Sequence, residues 1–193
     1  MITESLRIIS TKGDLMNYFY DKLTDLDYDD LVKSYVSNLM TDFAYTRGNE
    51  LISVIYNESL ERVRIQELFN KEDFSKLRDM GDAFLWLCGF FPEQVIDKNR
   101  NRPRFMLTLK DYVLYGRTAY NLASVLKGGK ELPISEISRN FEWVVNSIFN
   151  IRDKINPNLK YFLHEETISE IERVINFGKP MFSPEKDSFL IIN

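Results

Sequence analysis

A carboxylate at the head of an apolar run is the feature of this sequence best placed to do chemistry. In "MGDAFLWLCGFFPE", residues 80–93, Asp82 precedes nine uncharged, mostly apolar residues, 83–91. On a helical wheel at about 100° per residue, Phe74, Leu77, Gly81, Phe84, Leu85 and Cys88 form one stripe. Asp82 lies on the flank, about 60° past the stripe edge, near Arg78 one turn earlier. From Ala83 onward the segment is apolar nearly all round, so its second half should enter the core. Asp82 then stands where exposure ends. Paired with Arg78 or another cation, it is a structural group whose pKa falls. Unpaired in a cleft, its pKa rises and it becomes an acid or base. The structural fate is the expectation.

Two glycines bear on which groups reach Asp82. Gly81 lies within the stripe of this helix, and Gly116 lies within the apolar face of a helix over 108–126. Glycine inside a helix costs up to about 1 kcal/mol relative to alanine. Its placement on two buried faces points to close backbone approach, so the two helices are expected to cross near Gly81 and Gly116. That crossing would bring Asp82 near Arg117, Tyr112 and Tyr120. With Arg78 and Asp111 these residues form the candidate binding set. A second candidate is the loop "KNRNRPR", where Lys98, Arg100, Arg102 and Arg104 place four cations in seven residues with no acid among them. Taking those four charges from a net charge of −4 leaves −8 for the rest. A solvated loop is the default for such a run. The functional alternative is an anion site for phosphate, nucleic acid or an acidic partner. No aromatic side chain lies inside the run, which weakens stacking on single strands.

Other chemistries find no support. One cysteine, Cys88, and one histidine, His164, cannot build a closed Cys/His zinc site, and no Glu-x-x-His pair exists for a di-iron bundle. "DLDYDD" alternates Asp25, Asp27 and Asp29 like a calcium loop. Asp30 stands where that loop requires glycine, and Val36 where it requires a bidentate glutamate. There is no phosphate-binding P-loop and no GxGxxG. Cys88 lies in an apolar stripe, where a thiol is inert. His164, beside Glu165 and Glu166, is expected at the surface near a helix start. No metal or cofactor is expected.

The elements that must position these groups are helical. Leu31, Val32, Tyr35, Val36, Leu39, Met40, Phe43 and Ala44 draw one apolar face, with Asp27, Asp29 and Asp30 at its positive end. A shorter helix opened by Asp14 carries Leu15, Met16, Phe19, Leu23 and Leu26. Residues 50–69 suggest two short helices. Asn70 with Asp73 suggests a cap for the helix running to Phe90. Thr108 with Asp111 has capping-box spacing, and Gly128 suits a left-handed cap. Ile137, Phe141, Val144, Ile148, Ile151 and Ile155 predict one long amphipathic helix, stopped by Asn156-Pro157. Thr167 with Glu170 opens a last helix, closed by Gly178 and Pro180. No strict strand alternation appears, and the short apolar ends "SLRIIS" and "SFLIIN" read as docking extensions or strands. The fold class is all-α: a single-domain bundle of roughly six to eight helices over residues 1–193.

Composition agrees. A hydrophobic share of 44% with only eight glycines and six prolines is globular and favours long elements. The apolar run is too short to span a bilayer, the N-terminus shows no leader pattern, and a single cysteine excludes an intrachain disulfide. A cytoplasmic protein is expected, with no membrane partner. Net negative charge disfavours nucleic acid.

"LRDMGD", "CGFFPE", "DYVLYG" and "TAY" together resemble an uncharacterised bacterial all-helical family. Its pattern is Gly-Asp, Gly-Phe-Phe-Pro-Glu, Asp-Tyr-Tyr and Gly-x-x-x-Tyr. Gly81, Asp82, Gly89, Phe90, Phe91, Pro92, Glu93, Asp111, Tyr112, Gly116 and Tyr120 match; Val113 departs from it. The resemblance covers Leu77–Ala123, about a quarter of the chain. It implies no activity, and it implies that this helix–loop–helix unit is the centre of the protein.

The expected function is a non-enzymatic protein that binds a protein partner or a small ligand. The apolar C-terminal "FLII" would suit a second subunit in a homodimer. One rival is an enzyme using Asp82 with Arg78 or Arg117 as anion clamp and Tyr112 or Tyr120 as donors. A second is nucleic-acid binding through 98–104. That second rival requires an affinity that falls steeply with salt and vanishes when Lys98, Arg100, Arg102 and Arg104 are replaced by serine. A filter-binding titration with duplex DNA and RNA over a range of salt is expected to show neither.

Overall fold

The computed structural model describes residues 11–23, 28–44, 69, 73–93, 108–129 and 132–155, with side chains to 152. Within them the chain forms six helices and no strand. These are α1 (Lys12–Leu23), α2 (Asp30–Asp42), α3 (Phe74–Phe90), α4 (Leu109–Leu126), α5 (Ile134–Arg139) and α6 (Phe141–Ile155). They are the elements of an all-α bundle around one shared apolar core. Several expectations fall outside the described residues: the two short helices in 50–69, the basic loop 98–104, His164, the last helix, the 156–157 stop and both terminal runs.

Local chemistry explains where the helices begin and end. Thr11 and Asp14 cap α1 reciprocally: Asp14 Oδ2 accepts from the Thr11 N–H at 2.9 Å, and Thr11 Oγ1 accepts from the Asp14 N–H at 3.1 Å. Asp14 therefore lies inside the first turn rather than opening it. Asp29 is the N-cap of α2, its carboxylate accepting from Leu31 N–H at 2.8 Å, and Asp30 lies in the first turn. The cap of α3 is Asp73, accepting from the amides of Ser75 and Lys76. At α4 the Thr108–Asp111 capping box is complete. That helix ends on Gly128 and Gly129, at φ +77° and +73°. Gly128 N–H donates to Val125 O and Gly129 N–H to Ser124 O, the paired bonds of a left-handed terminus.

The single long helix expected from residue 137 is two helices. Asn140 takes φ −114° and ψ 26°, and its N–H donates back to the carbonyls of Glu136 and Ile137. The physical reason is packing. α5 lies against α4, whereas α6 runs along α3, and one straight rod cannot follow both. The apolar column still passes through the break, because Ile137 and Phe141 are both fully buried.

α3 is the hub. It packs along α4 and α6, and every residue from Ala83 to Gly89 is buried. Both glycines lie where α3 and α4 approach closely. A Cβ at Gly81 would stand 2.7 Å from Tyr120 Cδ1 of α4, and one at Gly116 would stand 2.9 Å from Phe84 Cβ of α3 and would collide with Phe141. Gly89 has the same role toward α6, where a Cβ would come within 2.6 Å of Ile148 Cγ2. It is thus a close-approach residue in the last turn of α3. The true end of α3 is held by Arg152 of α6, 4% exposed. Its Nη1 donates to the Phe90 carbonyl at 2.9 Å and to Glu93 Oε2 at 2.6 Å. A cation at the carbonyl end of a helix is favoured by the dipole.

Alanine at Gly116 gains about 1 kcal/mol of helix propensity and loses about 1–3 kcal/mol to overpacking. Phe84 Cβ is fixed to its backbone and cannot yield alone, so the loss wins. Gly116→Ala is expected to lower the urea midpoint with m unchanged. A raised midpoint would show that α3 and α4 separate freely.

Candidate functional site

Three helices converge on Asp82. α3 carries it on the flank of its buried stripe, with the side chain 14% exposed. Tyr120 of α4, fully buried, donates its hydroxyl to Asp82 Oδ1 at 2.6 Å. Tyr35 of α2 donates to the same oxygen, also at 2.6 Å. The two rings meet edge to face with centroids 6.4 Å apart. Arg78, one turn earlier on α3, brings Nε to 3.9 Å from Oδ2, an ion-pair approach longer than a hydrogen bond. Its Nη2 is given instead to Asp79, at 2.9 Å.

Local structure explains the convergence. Gly81 leaves the space in which the Tyr120 ring lies against α3, so the phenol reaches the carboxylate of the next residue. Tyr35 flanks the buried residues Val32, Val36 and Leu39 of α2. Its ring lies against the bundle and its polar tip points at Asp82.

Burial pushes the Asp82 carboxyl up from 3.8 to about 6, outweighing the two phenol hydrogen bonds and the Arg78 charge, which act the other way. The expectation that a paired Asp82 would titrate low is therefore overturned. Neutral donors and a distant guanidinium do not replace the water that a buried carboxylate gives up. Both phenols are pushed upward, by burial first and by the Asp82 charge second, so they stay protonated donors. Burial likewise raises the Cys88 thiol, which removes it as a nucleophile.

No family model, no curated protein and no solved structure matches this chain.

Of the six residues in the candidate binding set, the structure joins Asp82, Arg78 and Tyr120. Arg117 points elsewhere, its Nη1 donating to Glu142 Oε1 at 3.3 Å. The Tyr112 ring packs edge-on against Phe84 at 5.2 Å, within the core. The Asp111 carboxylate accepts from Thr108 in the capping box. Tyr35, 47 residues from Asp82, was missed because a tyrosine beside an apolar helical face reads as core. The signal for Arg152 was visible: a lone cation one turn beyond Ile148, within an otherwise apolar seam. Among the described residues no group of three or more His, Cys, Asp or Glu is placed to hold a metal ion.

The upward shift fixes the sign of the pH dependence. An unfolded aspartate titrates near 3.9, so between about pH 4 and 6 the folded chain holds more protons than the unfolded one. The contribution of this group to stability is full below that window and declines as pH rises through it, by about 3 kcal/mol in all. Asp82→Asn keeps a carbonyl oxygen for both phenols and cannot ionise. In paired urea titrations from pH 4 to 7.5, the Asn variant is expected to gain on the wild type by about 2–3 kcal/mol. A constant difference would show that the carboxyl is not shifted.

Proposed function

We propose that this chain is a non-enzymatic, cytoplasmic helical protein that binds a protein partner or a small ligand, with Asp82 serving the fold. The observation that carries this reading is the use of Asp82 Oδ1 by two donors of the protein itself, Tyr35 and Tyr120. A general acid or base needs its oxygen within hydrogen-bond reach of substrate, and here that oxygen accepts from the walls. The inert thiol supports the same reading. The resemblance to a bacterial all-helical family and a homodimer through the C-terminal apolar run belong to this proposal. No helix among the described residues is long and apolar enough to cross a membrane.

The second reading is an enzyme with Asp82 as acid or base. A carboxyl pushed up to about 6 favours it, since proton transfer near neutral pH is served by such a group. Its arginine clamp would be Arg78, because Arg117 is turned toward Glu142. The two readings separate in a metabolite panel followed by native mass spectrometry on wild type and Asp82→Asn. Retention of the same species by both proteins, with none converted, is expected. Conversion by the wild type that a folded Asp82→Asn lacks would overturn the binding reading.

A further inference from the structure

The helices α1 and α2 form a unit of their own. They pack along each other, Lys12 Nζ pairs with Asp42 Oδ1 at 2.5 Å, and the Tyr20 hydroxyl donates to Asp30 at 3.1 Å. This unit meets the rest of the bundle through a seam of aromatic rings. Phe19 meets Phe90 at 6.5 Å, Tyr28 meets Trp143 at 4.1 Å, Tyr35 meets Tyr120 at 6.4 Å, and Phe43 stacks on Trp86 at 5.2 Å. Across that seam the Tyr35 hydroxyl reaches Asp82. Ring contacts are weakly directional. The Tyr35–Asp82 bond adds a directional, titratable tie to that seam.

We propose that the α1–α2 layer is a pH-sensitive docking unit, latched by Tyr35 on Asp82 and loosened as Asp82 loses its proton.

The groups facing Asp82 are Tyr35 from α2, Tyr120 from α4, and Arg78 and Asp79 on α3 itself. With its proton on Oδ2, the neutral acid still accepts both phenols at Oδ1. The carboxylate accepts them more strongly, so the loosening comes from hydration withheld from the charge and not from the bond itself. When α2 lifts, Asp82 regains water on that side while keeping Tyr120, and hydration favours the carboxylate. The docked layer is therefore the better proton holder, and by linkage deprotonation favours the undocked one. The burial that raises this carboxyl to about 6 places the transition near neutrality. Asp79 raises and Arg78 lowers the same carboxyl; both lie on α3 with it, so they set where the transition falls rather than which state it favours.

The full chain contains its own reporters. Its two tryptophans are Trp86 and Trp143, and both sit on the seam, stacked with Phe43 and Tyr28. Acrylamide quenching of tryptophan emission and amide hydrogen exchange, corrected for intrinsic rates, would be followed from pH 5 to 7.5. Quenching and the exchange of α1 and α2 are expected to rise about three- to tenfold across that range, with α1 and α2 exchanging faster than α3 and α4 at every pH because they open without global unfolding. Asp82→Asn should abolish the rise. Tyr35→Phe, which removes a hydrogen bond favouring the charged form, should move the midpoint upward and loosen α2 at every pH. Flat profiles in the wild type, one common exchange rate for all four helices, or an unmoved midpoint in Tyr35→Phe would overturn the proposal.

Discussion

Two phenol hydroxyls converge on one carboxylate oxygen, Asp82 Oδ1, and the arrangement of three helices follows from that. α3 enters the core with apolar residues on all sides, and it must be covered on all sides. The charged group it carries to the boundary cannot be left without partners, because an unsatisfied buried carboxylate costs several kcal/mol. α4 supplies one donor and α2 the other. Their rings fill the space around α3 while their tips satisfy the charge. Tyrosine suits this task because its body is apolar and its end is polar.

The same helix depends on close approach. Gly81 and Gly116 set the distance between α3 and α4, and Gly89 sets that between α3 and α6. The first of these contacts also tunes the site. The ring that fills the space over Gly81 is Tyr120, so packing and hydrogen bonding at Asp82 are one arrangement. At the far end of α3, Arg152 joins the Phe90 carbonyl to Glu93. This buried cation closes the helix where its carbonyls would otherwise face the core. α3 is thus fixed by a carboxylate midway along its length and by a guanidinium at its end, each partnered from other helices.

Relations along one helix were legible in the residues. The wheel placed Asp82 at the boundary beside Arg78, the Thr108–Asp111 spacing gave a capping box, and Gly128 gave a left-handed terminus. The two glycines even revealed a close approach between helices, because glycine at a buried helical position has few other uses. Tyr35 and Arg152 could not be paired with their partners this way. Each acts across the bundle, on a residue 47 or 59 positions away, and nothing in local spacing encodes that distance. The break at Asn140 was hidden for a related reason. Apolar periodicity continues through it, and the turn answers to the different directions of α4 and α3.

The sequence by itself determined the helical class, most of the caps, the hub helix and the position of its one boundary carboxylate, because these follow from composition and from spacings within a few turns. Tertiary structure decided what that carboxylate is. The choice between a low-titrating ion pair and a raised, phenol-bound acid depends on how far Arg78 stays from Oδ2 and how much water α2 and α4 remove. Those are distances between helices, set by side chains that meet only when the bundle closes.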